Sequence, residues 1–307
     1  MRQSDEALGK ARDEKALTWF AEASKPLDAL DAAGTKCDGG TQQVASIVPA
    51  PARESASASD DSLRLDELQQ RCTAPAWKLD PKKNVFCNET SSGACVEQFR
   101  TLRSRLNRMR EKQPMRTLLV TSTLPGEGKS FVALNLAQAI ARQHERRALL
   151  IDADLRASTL HVAMGAPAAP GLSDCLQGQA DEFSIIQGNP RDNLFFIPAG
   201  RSVSNPAELL SNSRLKGLLD RIAPVFDWII VDSPPVLPVS DANILAGLCD
   251  GVLFVVRAGS TAFDQAQTAS QEFRGKNLLG FILNRVEEQA TYGGSYYGYG
   301  RNGSDNS

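Results

Sequence analysis

Six apolar runs punctuate the second two-thirds of this chain. They are TLLVTS (117–122), ALLIDAD (148–154), LFFIPAG (194–200), WIIVDS (228–233), GVLFVVRA (251–258) and LLGFILN (278–284). None alternates apolar with polar residues. A strand with one wet face alternates, whereas a parallel strand covered on both faces is apolar throughout. Between the runs lie longer stretches of helical period. CVEQFRTLRSRLNRMREK, from Cys95, sets Phe99, Leu102, Leu106 and Met109 along one side of a helix. Strands that alternate with helices predict an α/β, doubly wound and mainly parallel sheet flanked by helices. Ligands of such sheets bind beyond the carboxyl ends of the strands.

The first third has a different texture. VASIVPAPARESASASDDS is rich in Ala, Ser and Pro and reads as linker, with short helical patches on either side (ALTWFAEA near Trp19, SLRLDELQQRC from Ser62). The expected organisation is a low-complexity, largely disordered arm over 1–85, a P-loop domain over 86–290 and a Tyr/Gly-rich tail over 291–307. All four tyrosines of the chain, Tyr292, Tyr296, Tyr297 and Tyr299, fall in that tail. A segment of Gly, Ser, Asn and Tyr buries too little apolar area to fold alone.

Composition removes several classes of function. Net charge is −2, which gives no general case for nucleic-acid binding. No apolar run approaches the ~18 residues that span a bilayer, and the opening MRQSDEALGKARDEK lacks a secretory apolar core. The six cysteines are scattered with no CxxC pair and read as reduced thiols, and neither His144 nor His161 has ligands at metal-binding spacing. The expectation is a cytoplasmic protein without a transmembrane segment of its own.

Chemistry concentrates at three strand ends. TSTLPGEGKSF follows the first apolar run and opens a helix, the context of a P-loop. Glycines at 126 and 128 let backbone N–H groups turn towards phosphate oxygens, and the helix N-terminus adds its positive end. Lys129 supplies a point charge and Ser130 a hydroxyl for Mg²⁺. Pro125, Gly126, Glu127, Gly128, Lys129, Ser130 and Phe131 are therefore the nucleotide-binding set. Thr123 stands where the strict pattern has its first glycine. The second strand end, LLIDADLR, carries Asp152 and Asp154 on one side of an extended segment, an arrangement that asks for a cation nearby. The third, WIIVDSPP, ends in Asp232, the form of a Walker B carboxylate.

With these motifs the chain, over residues 94–300, resembles the bacterial protein-tyrosine autokinases (BY-kinases) of exopolysaccharide and capsule synthesis. PGEGKS, LLIDADLR and IIVDSPP match that family's Walker A, A′ and B motifs, EQFRTLR fits its E-x-x-R-x-x-R pattern, and the terminal tyrosine cluster is a fifth shared feature. Arg156 keeps the family's D-x-R, whereas ASTLH lacks the proline that usually follows. The resemblance implies ATP and Mg²⁺ as cofactors. It also implies phosphorylation of Tyr292, Tyr296, Tyr297 and Tyr299 in trans, by a nucleotide site on a neighbouring subunit. Lys129, Asp152 and Asp154 would be catalytic, with Asp152 meeting the incoming tyrosine. Ser130, Asp154 and Asp232 would hold the metal, although the roles of the aspartates are interchangeable at this level. Asn284 would contact the adenine edge. Glu97, Arg100 and Arg103 would face a neighbour in a ring-shaped homo-oligomer. Partners implied are a transmembrane polysaccharide co-polymerase or chain-length-determinant adaptor, which recruits the kinase to the inner face of the membrane, and a cognate tyrosine phosphatase. Two rival readings remain at this point. One is a partitioning or cell-division type of switch ATPase, which usually carries an extra lysine where this chain has Leu124. The other is a non-catalytic nucleotide-binding scaffold with an adhesive tail.

Overall fold

The computed structural model describes residues 63–87, 93–188, 193–273 and 275–286. Seven strands make one sheet: β1 Thr117–Ser122, β2 Ala148–Asp152, β3 Gln187–Gly188, β4 Leu194–Ile197, β5 Trp228–Asp232, β6 Gly251–Arg257 and β7 Leu278–Asn284. Their order across the sheet is β3-β4-β2-β5-β1-β6-β7. Every neighbouring pair is parallel except β3 with β4. The expected doubly wound, mainly parallel sheet is thus observed.

Successive residues of each inner strand enter opposite cores. Leu119, Ile151, Val231 and Phe254 face one side, and Leu118, Leu150, Ile230 and Leu253 face the other. The first side is covered by helices Ser213–Ile222, Asp241–Ala246 and Phe263–Gln271, which contribute Leu215, Leu218, Ile222, Leu245 and Ala269. The second is covered by the helix Lys129–Ala141, which we call αP, and by Ala94–Lys112, which packs across αP with Phe99 edge-on to Phe131 at 5.9 Å. This double cover is why the runs carry no polar alternation.

One difference from the sequence reading concerns the arm. Residues 63–85, expected within a largely disordered segment with short helices, are folded onto the domain together with 86 and 87, and a helix is observed within the helical patch SLRLDELQQRC. A helix, Leu65–Arg71, buries Leu68 in the first core, and Leu63 enters the same core. Thr73 then pairs with the edge strand β3: its N–H donates to Ile186 O and its carbonyl accepts from Gly188 N. Beyond that edge Phe86 is buried in the second core, with Trp77 edge-on to Phe196. The segment therefore passes round the β3 edge from one face of the sheet to the other. It covers a strand edge that would otherwise expose unpaired backbone groups. Asn135, fully buried in αP, fastens its far end by donating to Lys83 O and accepting from Val85 N, both at 2.9 Å.

Candidate nucleotide and phosphoryl-transfer site

β1, β2 and β5 are adjacent and parallel, so their carboxyl ends lie side by side. Asp152 of β2 is in register with Asp232 of β5, which is in turn paired with Val120 of β1. The loop 123–128 leaves β1 directly above them and enters αP. Gly126 and Gly128 both have positive φ, 83° and 98°. Gly128 is doubly constrained, because a Cβ there would lie 2.0 Å from Asn284 Nδ2. No side chain caps the N-terminus of αP, which leaves its first-turn N–H groups for an anion.

The loop's shape is held from inside by Glu127. Its buried carboxylate accepts from Leu124 N at 3.0 Å and from the Thr261 hydroxyl, and its carbonyl accepts from Asn284 Nδ2 at 2.8 Å. The structure thus puts the Asn284 amide on the P-loop backbone. Pro125 and Gly126 are exposed at the loop tip. Beside Gly128 and Ser130 opens a cleft of about 400 Å³ lined by Phe131, Leu134, Leu160, Asn284, Lys82 and Lys83. Its apolar wall and cationic neighbours suit the non-phosphate part of a nucleotide whose phosphates lie on the loop.

Below the loop, Lys129 Nζ donates to Asp154 Oδ2 at 2.9 Å and lies 3.3 Å from Ser130 Oγ. Asp152, Asp154 and Asp232 are 0, 3 and 1 % exposed. Three buried carboxylates therefore share one ammonium. Burial pushes the Asp152 carboxyl up to about 6, against hydrogen bonds from Ser158 Oγ and the N–H groups of Leu160 and Asp154. Burial pushes Asp232 up to about 7, against the pull of Lys129 and the Ser130 hydroxyl. For Lys129 burial opposes the charge, but Asp232 and Asp154 outweigh it and the ammonium is held above its ordinary value. Asp232 Oδ1 is buried and has no hydrogen-bond partner among the described residues. An unpaired carboxylate oxygen beside a serine hydroxyl and a surplus of negative charge fits a divalent cation. Among the described residues no three His, Cys, Asp or Glu side chains form a cage for a metal.

The Walker A′ loop is pinned to the segment after β5. Arg156 Nε and Nη2 donate to Asp241 Oδ2 and Oδ1 at 2.8 and 3.0 Å, and Asp241 is fully buried. Neither Asp241 nor Ser158 nor Thr261 was legible as a site residue. Ser158 lies in the ASTLH stretch where the usual proline is missing, and a hydroxyl six residues after Asp152 is the only signal that marks it. Glu97, Arg100 and Arg103 lie on Ala94–Lys112, away from the loop. Glu97 pairs with Arg100, and Arg103 Nη1 donates to Ala139 O of αP at 2.6 Å. Tyr292, Tyr296, Tyr297 and Tyr299 lie outside the described residues. Among the described residues no helix is long and apolar enough to cross a membrane.

A glycine loop between a central strand and a helix, a lysine at the helix start and aspartates at two adjacent strand ends define a P-loop nucleotide-binding protein. Residues 115–271 match the AAA domain family model. Tyrosine-protein kinase YwqD of Bacillus subtilis is 35% identical over 221 residues, 71% of this chain and 92% of that one. Tyrosine-protein kinase ptk of Acinetobacter johnsonii is 34% identical over 216 residues, and there the match spans 29% of the relative's length. Among solved structures, the kinase domain of the Escherichia coli tyrosine kinase ETK superposes with a TM-score of 0.63 at 32% identity, covering 70% of this chain and 83% of that one. The chain belongs to the bacterial tyrosine-protein kinase family.

Proposed function

We propose that this chain is an ATP- and Mg²⁺-dependent protein-tyrosine autokinase that phosphorylates its own tail tyrosines in trans and so regulates exopolysaccharide polymerisation or export. The observation that carries the reading is the shared ammonium of Lys129 among Asp152, Asp154 and Asp232 under a P-loop, in a chain whose tyrosines are all confined to its tail. Family membership adds the acceptor type.

In the reaction a bond forms between a tyrosine oxygen and the γ-phosphorus, the bond from that phosphorus to the β–γ bridging oxygen breaks, and the phenolic proton leaves. Such transfer depends mainly on positioning and charge stabilisation. The amides of 126–130 orient the phosphates, and Lys129 sits where charge develops on the transferred group. Asp152, with a carboxyl near 6, takes the phenolic proton. Ser130 and Asp232, with Asp154 beside them, would hold Mg²⁺, which supplies neutralisation of phosphate charge when bound. Arg156 and Asp241 keep the A′ loop against the B loop, so that the carboxylates stay in one place. The same reading carries the ring-shaped homo-oligomer, the transmembrane co-polymerase adaptor that brings the kinase to the membrane, and the opposing phosphatase.

Intact-mass measurement after incubation with Mg²⁺ and ATP tests it, with and without the adaptor's cytoplasmic segment. The controls are Lys129→Met and a chain with all four tail tyrosines changed to phenylalanine. Phosphate-sized mass steps in the parent chain alone are the expected result. ATP hydrolysis with no tail phosphate under either condition would replace the kinase by a switch ATPase.

A further inference from the structure

A second charged cavity of the described domain lies away from the nucleotide site. A pocket of about 470 Å³ lies at the other end of αP, lined by Phe86, Arg100, Arg103, Arg142, His144 and Arg146 among others. Arg103 is held at Ala139, ten positions along αP from Lys129, which puts the two sites ~15 Å apart along the helix axis. Among the described residues no carboxylate lines the pocket. Two of its arginines have acidic partners outside it, Arg100 with Glu97 and Arg146 with Asp227. The other two are bonded to neutral carbonyls, Arg103 to Ala139 O and Arg142 to Phe86 O at 2.7 Å. Capping the carboxyl end of αP explains the Arg103 bond. It uses one N–H of a guanidinium that has five, and Arg103 Nε is buried with no partner among the described residues. Arg142 also lies over the Phe86 ring, 5.1 Å from its centre.

We propose that this pocket binds phosphotyrosine of the chain's own C-terminal segment. Clustered guanidiniums recognise phosphate by paired, charge-assisted N–H···O bonds, and the Phe86 ring with its stacked arginine offers the phenyl group an apolar and cationic wall. Before modification the segment 287–307 has Glu287, Glu288 and Asp305 against Arg301, a weak match for four arginines. Each phosphate adds about −1.5 to −2 charge. Reach is sufficient: Tyr299 lies thirteen residues beyond Val286, the last described position, an extended span of up to ~45 Å. That exceeds the ~20 Å length of αP. In the proposed ring Arg100 and Arg103 face a neighbour; the tail thus leaves the acidic site once phosphorylated and is retained at the basic one of a subunit released from the ring. This inference rests on the tail being the kinase substrate.

The test uses the full-length Lys129→Met chain, whose own tail stays unmodified, at a dilution where light scattering gives a monomer, and a fluorescent synthetic peptide of residues 291–300 with phosphate on Tyr296 and Tyr297. Anisotropy should give binding at least tenfold tighter than for the unphosphorylated peptide, and tighter than for a peptide carrying phosphoserine at both positions. Arg103→Gln with Arg142→Gln in that chain should weaken it at least tenfold, while the same pair in the chain that keeps Lys129 leaves nucleotide binding, remote from both residues, unchanged and so certifies the fold. Hydrogen exchange on the Lys129→Met chain, which needs no pocket variant, should slow over 97–103 and 139–146 on adding the phosphopeptide. Binding indifferent to phosphate, binding unchanged in the folded double variant, unaltered exchange over both stretches, or competition by inorganic phosphate as effective as by the peptide would each overturn the proposal. Because the peptide is synthetic, a chain that binds it yet never phosphorylates itself sinks the autokinase reading and leaves a phosphotyrosine pocket; the reverse result sinks only the pocket.

Discussion

The two ends of αP carry opposite charge imbalances. At its start three carboxylates surround one lysine; at its finish four arginines line a pocket with no carboxylate in its wall among the described residues. Both excesses agree in sign with the helix dipole, positive at the first turn and negative at the last. They differ in solvation. The acids are almost fully buried, whereas the Arg100 and Arg146 side chains are half exposed. Buried excess charge is costly and shifts titration, so the acidic end stores a demand for a cation that its ligand must meet. Exposed excess charge is hydrated and nearly neutral in energy, so the basic end can wait for an anion without destabilising the domain.

The largest effect should come from removing the one cation that the acidic end possesses. Lys129→Met should lower tail phosphorylation by about 10²–10³-fold, the loss typical of one preorganised group facing developing charge, as read by phosphate incorporation per minute. Because Lys129 holds the buried Asp232 carboxyl down against desolvation, the variant should also raise the pH at which that group ionises. A variant with near-parental phosphorylation would mean that Lys129 serves the fold and not the transfer.

Asp232→Asn should separate function from stability. Folded-state Asp232 and Asp152 titrate near 7 and 6, above the usual carboxylate range. The folded chain therefore holds protons that the unfolded chain has released between about pH 4 and pH 7. Stability is then fully present below the unfolded value and is lost as pH rises through the folded one. Without nucleotide, Tm should fall from pH 5 to pH 8, and Mg²⁺ with nucleotide should recover it. Asp232→Asn should flatten that fall and raise Tm at pH 8 while phosphorylation drops sharply. A Tm that rises with pH in the ligand-free parent would contradict the account of the acidic end.

Arg156→Ala probes the clamp beside that end. It leaves fully buried Asp241 without its bidentate partner, an uncompensated acceptor that should cost about 1–3 kcal/mol, measured by urea unfolding. Asp241→Asn in the same background should return part of it, since the buried charge is then gone. Full additivity of the two changes would show that the pair is not coupled.

How much of this was visible in the chain itself depended on sequence distance. TLLVTS coincides with β1 because an unbroken apolar run has one good explanation in a sheet covered on both faces, and LLGFILN coincides with β7 although that edge strand is mostly half-buried. The loop, Lys129 and the three aspartates were legible because strand ends carry the chemistry of this architecture and each motif is local. β3 was not, since two residues, Gln187 and Gly188, hold no period. The helix at Leu68 was legible as the patch SLRLDELQQRC, but the docking of 63–85 on the domain was not, since anchors such as Leu63 and Leu68 sit next to a linker composition. The pairing of Arg156 with Asp241 spans 85 positions, and the basic pocket joins two helices and the turn at Phe86. Contacts of that kind exist only once the sheet has brought the elements together.

The smallest effect should be at the basic end, and its smallness is the point. Arg142→Gln removes one hydrogen bond to Phe86 O and a guanidinium stacked on the Phe86 ring. At an exposed site this should cost about 0.5–1.5 kcal/mol, with no change in nucleotide affinity because the residue lies beyond the far end of αP. The change in Tm should be nearly the same at pH 5 and pH 8, since the arginine keeps its charge throughout that range. This is opposite to the behaviour expected of Asp232→Asn. A strong pH dependence for Arg142→Gln, or a loss of nucleotide binding, would mean that the two ends of αP are coupled through the helix and that the contrast in their solvation does not keep them apart.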